Sequence, residues 1–192
     1  VMPGTPGKWY GIRFDHSLVN NRLHYVHMKS PGKHAVHLTH SRLSIDHVEW
    51  SGTTQNILWS DESSIEVRHS IFPDILHDEH VQGNGINLPD NAVLLFENNL
   101  FGTTAGYQDI IDFSAVKSPG PILEIINNRF TGGSDDILDL DGIDALIEGN
   151  VFSNVRKNNT STSLATAIAT GRDHLGRTSV ITVIRNLFLN NE

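Results

Sequence analysis

A chain of 192 residues with 38% hydrophobic residues is long enough to bury a continuous core in one domain spanning residues 1–192, and its formal net charge of −8 argues against a nucleic-acid backbone as partner. It contains no cysteine, which removes disulfides and thiolate metal sites without deciding the compartment. No apolar run approaches the roughly eighteen residues of a membrane span, and Val1-Met2-Pro3-Gly4 has neither a basic n-region nor an apolar h-region, so any signal peptide is expected to have been removed.

Val1 to Lys8 is a Pro- and Gly-rich entry without a strand pattern, and the repeating part begins at Trp9. Bulky residues close successive units at Met28, Trp50, Phe72, Phe101, Phe130, Phe152 and Phe188, spaced by 22, 22, 29, 29, 22 and 36 residues, so the base period is 22. Two residues earlier stand Val26, Val48, Ser70, Asn99, Asn128, Asn150 and Asn186, and the last four units therefore share Asn-x-Phe. That pattern predicts an asparagine ladder beneath an aromatic stack, because side-chain amides stacked in register bond one another and satisfy buried turn backbone.

Each unit carries two short strands with period-two alternation, so one face of each is buried. First strands are predicted at Ile12–Phe14, Val36–Leu38, Leu58–Ser60, Ile86–Leu88, Ile111–Phe113, Leu138–Leu140 and Ile168–Thr170. Second strands carry the inward pairs Leu43/Ile45, Ile65/Val67, Leu94/Phe96, Leu123/Ile125, Ala145/Ile147 and Ile181/Val183. Strands this short and this close leave no room for intervening helices, and parallel stacking of the units buries every inward residue on its copies. The expected fold is all-β: a right-handed parallel β-helix, or β-solenoid, of about seven coils, the hand following the strong preference of parallel crossovers. Neither end shows an amphipathic capping segment. A place within a longer chain, further domains, or self-association at the uncapped ends is the expectation.

The Asn-x-Phe turns, 22-residue coils and variable loops resemble the right-handed parallel β-helix proteins of the pectate-lyase-like superfamily. More narrowly, Gln108-Asp-Ile-Ile-Asp-Phe113, Asn127-Asn-Arg-Phe-Thr-Gly-Gly133 and Asp135-Asp-Ile-Leu-Asp-Leu-Asp-Gly142 look like β-helix segments of large secreted bacterial proteins that also carry lamin-tail or spore-coat-H-type domains. This likeness implies the fold and a secreted or cell-surface setting, without implying an activity.

Insertions at Pro73 to Gly85, Gly102 to Ile110, Ser114 to Ile122, Ser153 to Ala167 and Gly171 to Val180 flank the first strands, so they are expected to wall that sheet into a groove. Its outward column reads Arg13, His37, Trp59, Asn87, Asp112, Asp139 and Ala169, and the next reads Asp15, Thr39, Asp61, Pro89, Ser114, Asp141 and Gly171. A flat Trp59 face between His37 and Asn87, with Arg13 beyond, suits a polysaccharide; packing of Trp59 beneath the 73–85 loop is the structural alternative. Asp112 and Asp139 are expected about 4.8 Å apart at the backbone, with Asp109 and Asp136 as a second stacked pair and Asp135, Asp141 and Asp144 adding to the field. Carboxylates that close must share a proton or a cation.

Three roles fit these residues. Asp109, Asp112, Asp136, Asp139 and Asp141 are candidate ligands of Ca²⁺, a hard cation that takes six to eight oxygens and that pectate-lyase-like enzymes use. Asp112, Asp136 and Asp139 are alternatively candidate catalytic carboxyls for glycoside hydrolysis, at the separations such enzymes need. Of the polygalacturonase set Asn-Thr-Asp, Asp-Asp, Gly-His-Gly and Arg-x-Lys, only Asp135-Asp136 is present. A lyase would need a Brønsted base, for which Lys117, Arg156, Lys157 and Arg172 are the candidates. In the third role the aspartates cap turns of a structural or adhesive solenoid.

Ten of the eleven histidines precede residue 81. His34, His37 and His40 are expected on alternating faces about 10 Å apart, too far to chelate one ion together. His47 and His69 share a column beside Tyr25, and a Zn²⁺ site would have to combine one of them with the His77-Asp-Glu-His80 loop. Solvated surface histidines are the plainer reading.

Overall fold

The computed structural model describes residues 9–53, 55–156 and 165–191, which contain nineteen strands and no helix. The chain is an all-β parallel β-solenoid. First strands Ile12–Asp15, Val36–Thr39, Leu58–Asp61, Val81–Asn84, Ile111–Ser114, Leu138–Asp141 and Ile168–Gly171 pair in chain order as one seven-stranded parallel sheet. The entry Val1 to Lys8 and Lys157, one candidate base, lie outside the described residues.

The remaining strands form two stacks. Second strands run from Ser64–Arg68 through Leu94–Glu97, Leu123–Ile126 and Asp144–Glu148 to Val180–Ile184; third strands run from Ile71–Phe72 through Leu100–Phe101, Arg129–Phe130 and Val151–Ser153 to Leu187–Leu189. Both stacks start from the ten-residue strand Arg42–Ser51, which pairs in turn with Asn21–Lys29. These two long strands pass through the turn that separates second from third strands elsewhere. Complete three-strand turns consequently number about five, against the seven coils expected.

Inward registers agree with the sequence period. Leu43, Ile65, Leu94, Leu123, Ala145 and Ile181 stack in one column, and Ile45, Val67, Phe96, Ile125, Ile147 and Val183 in the next. Trp50, Phe72, Phe101, Phe130, Phe152 and Phe188 form a continuous ring stack with centroids 4.4–5.0 Å apart. Each interior ring contributes roughly 1.5–3 kcal/mol through burial, and the offset ring pairs add about 0.5–1.5 kcal/mol.

Beneath the rings, Asn99 Nδ2 donates to Asn128 Oδ1 at 3.0 Å, Asn128 Nδ2 to Asn150 Oδ1 at 3.1 Å and Asn150 Nδ2 to Asn186 Oδ1 at 3.0 Å. Each of these oxygens also accepts the backbone N–H of the preceding ladder residue, while each Nδ2 reaches a buried carbonyl, such as that of Phe96 or Ile125. The ladder continues through Ser70, whose N–H donates to Asn99 Oδ1 and whose Oγ accepts from Val48 N. A serine ladder, Ser17 N to Ser41 Oγ and Ser41 N to Ser63 Oγ at 2.9 Å each, serves the turn after the first strands in the first three units.

The predicted first strand Ile86–Leu88 is displaced: the strand is Val81–Asn84. Gly83 takes the inward position between Ser60 and Phe113, where an added Cβ would lie 2.5 Å from both the Phe113 ring and the Ser60 carbonyl. The neighbouring ring fills the space, so this strand lacks the apolar alternation that marks the others. Ile86 to Leu88 belong instead to the connection toward Leu94.

Candidate functional site

The first-strand sheet presents Arg13, His37, Trp59, Gln82, Asp112, Asp139 and Ala169 in one outward column, with Asp15, Thr39, Asp61, Asn84, Ser114, Asp141 and Gly171 in the next. Gln82 and Asn84 therefore take the places expected for Asn87 and Pro89. Asn87 lies off the strand, where its Nδ2 donates to Glu62 Oε1 at 2.7 Å. Insertions do flank the sheet on both sides, at 73–80 and 102–110 before first strands and at 85–93 and 115–122 after them.

The N-terminal half of the floor is aromatic and basic. Trp59 is half-buried, with the His34 ring edge-on at 5.1 Å and the His37 ring at 6.3 Å. His34 and His37 are themselves 5.5 Å apart at their ring centroids, closer than strict alternation implies, because His34 precedes the strand in the left-handed region at φ 54°. Arg13 is exposed and pairs with Asp15 at 3.7 Å.

The C-terminal half is acidic. Asp112 and Asp139 are register partners, and Asp112 Oδ2 accepts from Gln82 Nε2 at 3.0 Å. At the preceding turn, ligand oxygens of Asp109, Asp135 and Asp136 all lie within 4.8 Å of one another. The second stacked pair follows a backbone logic: Asp136 N–H donates to Asp109 Oδ1 and Thr166 N–H to Asp136 Oδ1, each at 3.0 Å. One residue that sequence spacing left aside, Glu79, joins them, and one expected only to add to the field, Asp135, takes a defined place. Asp135 is the buried third member of the turn cluster, and Glu79, from the 73–80 insertion, is close enough to Asp112 and Asp139 to feel their charge.

Burial is the main cause of the altered acidity here. It raises Asp109 to about 8, against the bond from Asp136 N–H and with the help of Asp139, Asp136 and Asp135. It raises Asp139 and Glu79 to about 7 each, with neighbouring carboxylates adding to the effect, and lifts Asp112 and Asp136 above the ordinary range. Glu79, Asp109, Asp112, Asp136 and Asp139 form no ion pair with a described residue.

Asp144 does not belong to this field. It is tied to Lys117 Nζ and accepts Ser118 N–H at 2.9 Å, interactions that hold its carboxyl low in spite of burial. The same Nζ also donates to Thr178 O at 2.8 Å, so the ammonium of this candidate base is committed to Asp144 and Thr178. Arg172 is bridged to Thr178 and Arg156 to Gly133 through backbone, and neither reaches the aspartates by an ion pair. His80 is fully buried, its Nε2 donating to Pro73 O at 2.6 Å, which withdraws it from the loop Zn²⁺ site.

A separate cavity of about 440 Å³ lies on the outer face of the second-strand sheet, lined by Asn21, Arg22, His24, Arg42, Ser44 and Glu66 among others. The 85–93 connection, which places the Asp90 and Asn91 carbonyls against the Arg42 guanidinium, supplies its wall.

Fold and site together define a parallel β-solenoid with an acidic patch on its first-strand sheet. Comparison with protein-family models, curated proteins and solved structures finds no match to this chain.

Proposed function

We propose that the protein binds a polysaccharide along its first-strand sheet in a secreted or cell-surface setting, with Ca²⁺ held by the aspartates at the C-terminal half of the floor. The observation that carries this reading is the convergence of Asp109, Asp135 and Asp136 oxygens within 4.8 Å, beside the Asp112/Asp139 column. The donor set is entirely oxygen and suits a hard cation. A backbone amide bonds one oxygen of Asp109, and Asp136 takes both the N–H and the side chain of Thr166. Asp141, one strand position further out, is a further oxygen donor. Trp59 with His34 and His37 offers the apolar face and planar donors that sugar rings stack on and bond to, and Gln82 links that half of the floor to Asp112. The likeness to pectate-lyase-like proteins, carried by the coil length and Asn-x-Phe turns, supports the same reading.

Catalysis by this floor would be acid–base chemistry between carboxyls. Asp112 and Asp139, or Asp136, would serve as the acid and its partner, burial keeping one carboxyl protonated near neutrality. A second reading, a non-catalytic structural or adhesive solenoid, is favoured by the two backbone bonds that Asp109 and Asp136 accept, which are ordinary turn chemistry.

Thermal melts in Ca²⁺ and in chelator, followed by a panel of uronate-rich and neutral polysaccharides scored for binding, ultraviolet-absorbing products and reducing ends, test these readings. Ca²⁺ is expected to raise the melting temperature, since a ligand of the native state stabilises it. An unchanged melt rejects the cation site. A panel with neither binding nor products rejects the polysaccharide role and leaves the scaffold.

A further inference from the structure

At the corner that separates second from third strands, the strand pair Asn21–Lys29 and Arg42–Ser51 carries Tyr25 and His47 at equivalent places, and His69 follows one unit on. All three have left-handed backbone, at φ 54°, 53° and 47°. Their rings form a column, Tyr25 on His47 at 4.8 Å and His47 on His69 at 4.9 Å. Beside the column, Asp46 Oδ1 lies 3.0 Å from His47 Nδ1 and 2.9 Å from His69 Nδ1, and the three ligand atoms are all within 4.8 Å of one another.

We propose that Asp46, His47 and His69 form a binding site for a divalent transition metal of the Zn²⁺ class, with its remaining coordination position open to solvent or to a further ligand. Two imidazole nitrogens and one carboxylate are the donors such ions prefer and Ca²⁺ does not. Bonds of about 2.0–2.1 Å in tetrahedral geometry set donor–donor edges of roughly 3.3 Å, so the observed 2.9 and 3.0 Å edges need only small adjustment. The stacked rings hold both imidazoles on the same carboxylate before any ion arrives, which lowers the ordering cost of binding. Each neutral imidazole can carry its proton on Nε2, freeing Nδ1 for the metal. Among the described residues facing the site, Arg68 is the register partner of Asp46 and a cation that could oppose a metal; its guanidinium is turned instead into Glu66 and Glu97. His24, the register partner of Asp46 on the other side, is exposed.

The test is a titration of the chain, free of any polyhistidine tag, with ZnCl₂ in a non-coordinating buffer near pH 7.5, read by calorimetry and by histidine side-chain NMR. One ion per chain is expected, with the largest shifts at His47 and His69. His47→Asn and His69→Asn are the suitable variants, because asparagine tolerates left-handed backbone; each is expected to weaken Zn²⁺ binding at least tenfold while circular dichroism is retained. Zn²⁺ affinity unaltered in the folded His47→Asn/His69→Asn double variant, or shifts confined to other histidines, overturns the proposal.

Discussion

Two side-chain ladders climb the same solenoid, and they differ by one atom type. At the turn before the third strands, Asn99, Asn128, Asn150 and Asn186 each accept a backbone N–H from the preceding unit, and the first three donate to the next amide. At the turn before the first strands, Asp109 and Asp136 also accept backbone N–H groups, but from the following unit, Asp136 and Thr166. An amide is self-complementary, so the asparagine ladder repeats without penalty. A carboxylate has no donor to offer its neighbour, so stacked aspartates repel unless a proton or a cation intervenes. Asparagine would meet the backbone's needs at both turns; the negative charge at the second is surplus to architecture.

The strongest way to break the comparison is to exchange the chemistry of the ladders. Asn150 is fully buried, with Nδ2 on Ile125 O at 2.7 Å and on Asn186 Oδ1, while Oδ1 accepts from Asn128 N and Nδ2. Asn150→Leu leaves these groups unpaired and is expected to cost roughly 3–5 kcal/mol in urea denaturation. Asn150→Asp should cost a similar amount at pH 7, where the carboxylate faces Asn186 Oδ1 and Ile125 O, and should recover part of it near pH 4, where a protonated carboxyl can donate again.

Stability against pH separates the regions further. Burial drives His80 down to about 4, although its bond to Pro73 O works the other way. The unfolded chain therefore binds a proton that the native state refuses between about pH 6.5 and 4, and stability falls as pH falls through that window, by up to about 3 kcal/mol. Asp109, Asp139 and Glu79 act with the opposite sign. Their folded-state values of about 8, 7 and 7 lie above the unfolded ones, so their contribution is present at low pH and is lost as pH rises toward those values. The two windows overlap between about pH 4.5 and 6.5, where three carboxyls outweigh one imidazole, so urea midpoints of chelator-treated protein are expected to fall from about pH 4.5 to 8. The asparagine ladder contributes no slope to either.

How much of this was legible depended on whether a side chain obeyed the 22-residue period. The aromatic stack and the asparagine ladder did, because each inward residue must meet its copy, and their registers follow from spacing alone. The Asp109/Asp136 and Asp112/Asp139 pairs were readable for the same reason. The first strand of the fourth unit was not: Gly83 yields its inward space to Phe113, so the true strand, Val81–Asn84, carries one apolar residue and Ile86–Leu88 imitates it better. Glu79 reaches the aspartates through the course of an insertion, which no period describes. Left-handed backbone at His34, His47 and His69 set ring positions that strand alternation cannot supply.

The smallest expected change is also the most discriminating. Asp109→Asn keeps the oxygen that accepts Asp136 N–H, so if the aspartates merely cap turns the variant should match the parent or gain under about 1 kcal/mol from relieved repulsion. In the same variant the high-pH limb of the stability profile should flatten, because the group held near 8 no longer titrates. A cation site predicts one further difference: the rise in melting temperature with Ca²⁺ should shrink or vanish in Asp109→Asn while the chelator-treated protein stays as stable as the parent. Serine at this position would lose the planar acceptor along with the charge, so asparagine is the informative change. A Ca²⁺-dependent rise that survives intact in Asp109→Asn would remove Asp109 from the ligand set, and with it the reason for a carboxylate where the neighbouring ladder uses an amide.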